Sequence, residues 1–324
     1  MKDKDEMMME TMYWWGIPTL FRCEHNKDLS NCDIALVGVP HSTGNGTTER
    51  DQHLGPRAVR NVSAGLRRVH LDFNINPWKK KKIFDLGDVA LPHANNNEKC
   101  IEDITNFYKK IAKKNKPVVS IGGDHSITGG ILQGLGFNNL EMTKGKKISF
   151  LHIDAHTDTF SQLDHFMGAK KSAAHWGAYL VEQGIIDPKT SMQIGMRGNP
   201  RTLNWLQPSY DLGYNIVTMD EFQKRGIDDV IKETLDKIGD NPIYITFDLD
   251  SLDASVAPAV SNIEPSFTGF TINEAKALIQ SVKNKNVIGG DVVCLMPTKD
   301  QKNNITSMVA ASIMFEIISV IAYK

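Results

Sequence analysis

Apolar and amphipathic segments alternate along most of the chain. Eight mostly apolar segments, several of which run into glycine or aspartate, predict β-strands at 33–40, 82–91, 116–126, 146–156, 191–198, 214–222, 241–253 and 287–297. Segments between and after them predict helices at 55–69, 97–115, 127–136, 227–240, 272–284 and 304–323. Strands that alternate with helices indicate an α/β fold with a mostly parallel sheet covered on both faces.

The length and composition favour one α/β domain. The chain has 324 residues, 41% of them apolar, which is enough for a sizeable core. No internal repeat or low-complexity linker interrupts the pattern. We therefore expect a single domain over residues 1–324, with residues 1–32 as an N-terminal extension that packs on the domain or on a neighbouring subunit.

Charge and cysteine content exclude some function classes. Lysine and arginine number 37 against 38 aspartates and glutamates, so the charge balance predicts neither nucleic acid nor a membrane as a partner. We expect no apolar run that approaches the roughly 20 residues of a spanning helix. The four cysteines are scattered, and no secretory signal precedes them. These features predict a cytoplasmic protein with reduced thiols.

Three clusters of acids and histidines each follow a predicted strand: "GGDH" (122–125), "DAHTD" (154–158) and "FDLDSLD" (247–253). Any one of them could be a hydrogen-bonded turn. Together they place carboxylates and imidazoles at the carboxyl ends of three strands of one sheet, where ligands of open α/β sheets gather. Buried charges are usually paired or bound to a metal. The three clusters therefore predict one metal site.

The donor types narrow the choice of metal. Carboxylates and imidazoles without cysteine suit manganese and its neighbours better than a thiolate zinc site. Many carboxylates against few imidazoles also suit two divalent cations bridged by aspartates, which together lower the pKa of a water molecule. We expect two such cations, with Mn²⁺ favoured and Ni²⁺ as the alternative.

The motifs "GGDHS", "DAHTDT" and "FDLDSLD" resemble the signature motifs of the ureohydrolase family, the arginases, agmatinases and their relatives. The similarity extends over nearly the whole chain, from "GIPTLFR" (16–22) onwards. The resemblance implies a three-layer α/β/α sandwich and a dimanganese centre that releases urea from a guanidino compound. One metal would take His125, Asp154, Asp158 and Asp248, and the other Asp154, His156, Asp248 and Asp250.

The resemblance implies further roles outside the ligand set. His175, in "SAAHWGAYL", would pass a proton to the leaving amine, and His165 is the rival for that task. Without the resemblance, His175 would be read as a core or surface histidine. Asp158 is expected to take part in catalysis as well as in metal binding. Asp253 is expected to orient the ligands from outside.

The chain departs from the family pattern where the substrate would bind. Cys294, in "DVVCLMP", stands where most relatives carry a glutamate that binds the guanidinium. The segment 253–270 is longer than usual and offers Glu264 as a replacement acid. The loop 41–57, with Thr47, resembles a branch of agmatinase-like proteins that hydrolyse free guanidine or small alkylguanidines, some of them with nickel.

We therefore expect an enzyme of the agmatinase or guanidinase type. A small guanidino compound, free guanidine included, is favoured as the substrate over agmatine, and agmatine over arginine. One alternative is the hydrolysis of another amidine, such as a formimino compound. The other is a catalytically silent metal-binding subunit of a hetero-oligomer, a possibility that Cys294 leaves open. The resemblance also implies a homo-oligomer, a trimer or a hexamer.

Overall fold

The computed structural model describes residues 8, 12–46, 49–136, 141–166, 168–265 and 267–324. Its strands form one sheet in which every pairing between strands is parallel. The strands are β1 (Glu24–His25), β2 (Ile34–Gly38), β3 (Ile83–Asp88), β4 (Val118–Ile121), β5 (Ser149–Ile153), β6 (Met192–Met196), β7 (Asn215–Thr218), β8 (Ile243–Asp248) and β9 (Val287–Val293). Their order across the sheet is β1-β3-β2-β4-β9-β8-β5-β6-β7.

Helices cover both faces of this sheet. They are α1 (Gly55–Ser63), α2 (Pro77–Lys80), α3 (Asn97–Ala112), α4 (Ser126–Leu135), α5 (Trp176–Glu182), α6 (Gln207–Leu212), α7 (Met219–Arg225), α8 (Ile227–Ile238), α9 (Ile272–Ser281) and α10 (Ile305–Tyr323). One core packs the sheet against α1, α8, α9 and α10, and a second packs its other face against α3, α4 and α5. The predicted three-layer α/β/α sandwich is therefore confirmed.

Alternation along β2 shows how the sequence builds two cores from one strand. Ile34 and Leu36 belong to the first core, whereas Ala35 and Val37 belong to the second. Successive side chains of a strand point to opposite faces, so a strand buried on both faces is apolar throughout. The continuous apolar runs in the sequence have this cause.

The strand predicted at 214–222 is wrong over its second half. β7 ends at Thr218, and α7 begins at Met219. Thr218 accepts a hydrogen bond from the backbone N–H of Glu221, and the Glu221 carboxylate accepts one from the backbone N–H of Thr218. This capping box starts a helix where the apolar pattern alone suggested a longer strand.

The closing helix α10 corrects a second expectation. It is 19 residues long with a mean hydropathy of 2.0, so by length and composition alone it could cross a membrane. The expectation that no apolar run approaches that length is therefore wrong. Within the protein, 78% of its most apolar window is buried. Its apolar character on all sides is that of a helix at the centre of a core.

The N-terminal extension is divided between core and surface. Leu20 and Phe21 are buried, and β1 pairs with β3 at the edge of the sheet. Tyr13, Trp14 and Ile17 are exposed. The part of the extension from residue 20 onwards thus packs on the sheet and its helices.

The sheet order brings the three acidic motifs together. Strands β4, β9, β8 and β5 lie side by side at the centre of the sheet. The motif "GGDH" follows β4, "DAHTD" follows β5, and "FDLDSLD" begins at the end of β8. Because the strands are parallel, these carboxyl ends share one edge of the sheet.

Candidate metal centre

His125 lies at the centre of a first cluster of carboxylates. Its Nδ1 atom is 2.9 Å from Oδ2 of Asp154, 2.9 Å from Oδ2 of Asp158 and 3.2 Å from Oδ2 of Asp248. The side chains are buried, the most exposed being Asp158 at 11%. None of these contacts has the alignment of a hydrogen bond. Four donor atoms therefore converge on one point without bonding to one another.

The hydrogen bond of the other ring nitrogen of His125 determines whether Nδ1 carries a proton. Nε2 lies 2.8 Å from Oγ1 of Thr246, whose hydroxyl donates to Oδ1 of Asp291 at 2.7 Å. Thr246 has one hydroxyl proton, so Nε2 must be the donor in its contact with His125. In the neutral imidazole, Nδ1 then carries a lone pair that faces three carboxylates. A cation bound among the four atoms would accept this lone pair and balance the charge of the three carboxylates.

A second cluster shares Asp154 with the first. Nδ1 of His156 lies 3.5 Å from Oδ1 of Asp154 and 3.2 Å from Oδ2 of Asp250. Asp154 therefore presents one carboxylate oxygen to each cluster. The His156 side chain is 32% exposed, so the second cluster forms the open side of the centre.

The acidic side chains of the two clusters provide negative charge that bound cations would neutralise. Burial and the neighbouring Asp248 raise the pKa of Asp250 well above its ordinary value. Burial opposes the ionised form of Asp154 also, but the neighbouring imidazoles of His125 and His152 hold its pKa well below the ordinary value. Carboxylates packed this closely need a compensating positive charge. His125, Asp154, Asp158 and Asp248 would hold one cation, and Asp154, His156 and Asp250 the second.

Comparison with known proteins agrees with this site. The family model described as the arginase family matches residues 32–319, which include every residue of both clusters. The chain belongs to the arginase family. It is therefore a metallohydrolase, and the ureohydrolase resemblance of its three motifs is confirmed.

Relatives within the family cover almost the whole chain. The guanidinopropionase of Pseudomonas aeruginosa is 30% identical over 309 residues, which is 95% of this chain and 92% of that protein. The human mitochondrial guanidino acid hydrolase is 31% identical over 304 residues, 94% of this chain and 82% of that protein. The structure of proclavaminate amidino hydrolase from Streptomyces clavuligerus matches with a TM-score of 0.86 and 27% identity, covering 97% of this chain and 99% of that one.

Two residues that support the ligands were missed in the sequence. Nε2 of His152 lies 2.7 Å from Oδ2 of Asp154, while its Nδ1 accepts from Gln193. Nε1 of Trp176 donates to Oδ2 of Asp158 at 3.0 Å. Such outer partners fix the orientation of metal ligands. His152 could have been found, because it lies two residues before Asp154 on the same strand face. Nothing in the local sequence marks Trp176.

The structure places His175 at a cavity wall. The residue precedes α5, and its Nδ1 lies 2.5 Å from Oγ of Ser172. It lines a cavity of about 540 Å³ together with Phe160, which is two residues beyond Asp158. The next residue, Trp176, contacts Asp158. His165, the rival, has a side chain outside the described part of the structure.

Of two other predicted residues, one lies away from the ligand atoms and the other lies outside the described residues. The Asp253 carboxylate accepts hydrogen bonds from Ser255 and from the backbone N–H of Gly269, so it closes the base of the loop 253–270. Its predicted role in orienting ligands stays a prediction. Thr47 lies outside the described residues.

Cys294 follows β9, between the strands that carry the clusters. Its backbone N–H donates to the carbonyl of Gly123, and its φ of 69° is left-handed. Burial raises the pKa of its thiol well above the ordinary value, and the neighbouring Asp248 and Asp250 raise it further. The thiol is therefore neutral at physiological pH and cannot pair ionically with a guanidinium.

Glu264 reaches the open side of the centre. The loop 253–270 folds inward, and Oε1 of Glu264 lies 3.4 Å from Nε2 of His156. Gly198 makes room for this carboxylate, because a Cβ atom there would lie 2.8 Å from the Glu264 carboxyl carbon. An acid outside the ligand set thus stands beside the exposed edge of the second cluster.

Proposed function

We propose that this protein uses a binuclear metal centre to hydrolyse a guanidino C–N bond and release urea. The observation that carries the proposal is the pair of His/Asp clusters that share Asp154. When bound, two divalent cations would stabilise developing negative charge and supply a water-derived nucleophile at neutral pH. Mn²⁺ is favoured, with Ni²⁺ as the alternative, because the donors are carboxylates and imidazoles.

A small guanidino compound, free guanidine included, is the favoured substrate. The neutral thiol of Cys294 offers no anion at the end of β9. The inward loop 253–270 brings Glu264 over the open side of the second cluster instead. A substrate with a long tail would need the space that this loop covers. The relatives include proteins named agmatinase and guanidinopropionase. These names refer to guanidino compounds with different tails, so they do not select one substrate for this chain.

Glu264 is the residue proposed to receive the cationic substrate. A carboxylate and a guanidinium form a charge-assisted pair that also fixes orientation. One oxygen of Glu264 contacts His156, and its side chain is 21% exposed, so the carboxylate can still be reached from solvent. Recognition would then come from the open side of the centre.

His175 is proposed to deliver a proton to the leaving nitrogen. The imidazole of a histidine can donate and regain a proton at neutral pH. Its position at the cavity wall, one residue from the indole that contacts Asp158, supports this role. Asp158 would serve the reaction by orienting His125 and its cation.

Urea release by the purified protein tests the proposal. Guanidine, methylguanidine, guanidinobutyrate, agmatine and arginine are each supplied after loading with Mn²⁺ or Ni²⁺. We expect guanidine or methylguanidine to give urea at the highest kcat/KM. If the protein binds two cations but releases no urea from any of the five compounds, the proposal is refuted. Formamide from a formimino compound would identify another amidine hydrolase, and turnover only with an added paralogue would identify a silent subunit.

We also propose that the protein acts in the cytoplasm as a homo-oligomer. The four cysteines are buried free thiols, which suits a reducing compartment. Tyr13, Trp14 and Ile17 are exposed and would be covered by a neighbouring subunit. Light scattering on the purified chain should give the mass of a trimer or a hexamer. The mass of a monomer would contradict the proposed homo-oligomer.

A further inference from the structure

A buried arginine holds the backbone behind the second cluster. Arg197 follows β6 and is 6% exposed. Its Nη1 donates to the carbonyl of Ser251 at 2.9 Å, and its Nη2 donates to the carbonyls of Asp250 at 2.7 Å and Leu252 at 3.0 Å. Three consecutive carbonyls are thus bonded to one guanidinium.

Arg197 also binds the segment that carries the other ligand of the second cluster. Its backbone N–H donates to the carbonyl of Ala155 at 2.9 Å, next to His156. The residue therefore connects the two segments whose ligand atoms, on His156 and Asp250, lie 3.2 Å apart. A shift in either segment would change that distance.

The burial of this charge indicates a specific role. A buried charge costs several kcal/mol unless it is compensated. Here the compensation comes from carbonyls at the end of a 3₁₀ helix, Leu249–Ser251, which lack partners within that helix. The planar guanidinium donates to several acceptors at once and so fixes their relative positions more strictly than an ammonium can.

We propose that Arg197 is a positioning residue for the second cation, the one that His156 and Asp250 would hold. The inference rests on the two-cation centre proposed above. The first cluster has separate support, since Thr246 orients His125 and Trp176 orients Asp158. Loss of Arg197 should therefore weaken one cation position and spare the other.

The test is a Mn²⁺ titration of the chelator-stripped full chain, in which the EPR signal of free Mn²⁺ measures binding. We expect two binding events for the wild type. In Arg197→Met the first should be unchanged and the second weakened by ~10–100-fold, the usual effect of losing an outer partner. Arg197→Lys should show a smaller loss at the same position, and it decides the question if Arg197→Met does not fold.

A matched control separates positioning from general stability. Arg68 likewise donates to backbone carbonyls, those of Phe21 and Arg22, away from the clusters. Arg68→Met should bind both cations as the wild type does, even with a lower melting temperature. Wild-type binding of both cations by the folded Arg197 variants would overturn the inference. A wild-type protein that binds fewer than two would instead refute the binuclear centre itself.

Discussion

Oε1 of Glu264 lies 3.4 Å from Nε2 of His156, so an acid from the long loop 253–270 meets the exposed edge of the second cluster. The same ring presents Nδ1 to Asp154 and Asp250. The carboxylate thus stands where a cationic substrate would approach the centre from solvent. Its contact with His156 could also serve only to orient that ring, and a variant can separate the two roles.

Glu264→Gln should impair substrate binding and leave the cations in place. Loss of a charge-assisted contact is worth about 1.5–3 kcal/mol, so we expect KM for guanidine to rise by ~10–100-fold. Steady-state kinetics and metal analysis on the same preparation measure both effects. Loss of a cation would show that Glu264 orients His156, and an unchanged KM would contradict its role in recognition.

Cys294→Glu should rescue the Glu264→Gln variant. An acid at position 294 would place a carboxylate where the resemblance to the family implies a glutamate. In the double variant we expect KM for guanidine to return toward the wild-type value. Cys294→Ser with Glu264→Gln is the control, since it adds no charge. Equal KM values in the two double variants would argue against this picture.

His175→Asn should lower kcat by ~10²–10⁴-fold, the usual contribution of a general acid, with little change in KM. The cations should remain bound, because His175 lies outside the ligand set. The pH profile of kcat should also lose the limb that reports this histidine. His165→Asn tests the rival, and a larger loss of kcat there would transfer the role to His165.

Asp85→Asn should destabilise the fold far from the site. Arg60 donates from Nε and Nη2 to Asp85, which also accepts from the backbone N–H of Leu20. Burial opposes the ionised form, but Arg60 and these hydrogen bonds hold the pKa of Asp85 below its ordinary value. Breaking a buried pair costs about 3 kcal/mol or more, and we expect that loss in urea unfolding at pH 7.

The stability lost in Asp85→Asn should depend on pH, because the pKa of Asp85 is lowered in the folded state. A carboxylate with a lowered folded-state pKa contributes stability that is present above its unfolded pKa of about 3.9. The contribution disappears as pH falls through the folded value. The gap between wild type and Asp85→Asn should therefore shrink below pH ~4, in protein stripped of metal. Asp88→Asn is the control, because Asp88 is 43% exposed and should cost less than about 1 kcal/mol. A constant gap would contradict the assignment.

The spacing of apolar residues and the alternation of strands with helices predicted much of this structure. Acids and histidines after β4, β5 and β8 could be assigned to one edge, because parallel strands align their carboxyl ends. The sequence could not reveal that Trp176 donates to Asp158, since that contact depends on how α5 packs. The boundary at Thr218 was missed because a side-chain capping box overrode the apolar pattern. That Glu264 contacts His156 could be learned only from the conformation of the loop 253–270.

The central claim is that two cations bind at clusters sharing Asp154, and anomalous diffraction at the manganese absorption edge tests it most directly. Crystals of the full chain soaked in Mn²⁺ should give two anomalous peaks. One should lie among His125, Asp154, Asp158 and Asp248, and the other among Asp154, His156 and Asp250. A single peak, or peaks only elsewhere on the protein, would contradict the binuclear centre.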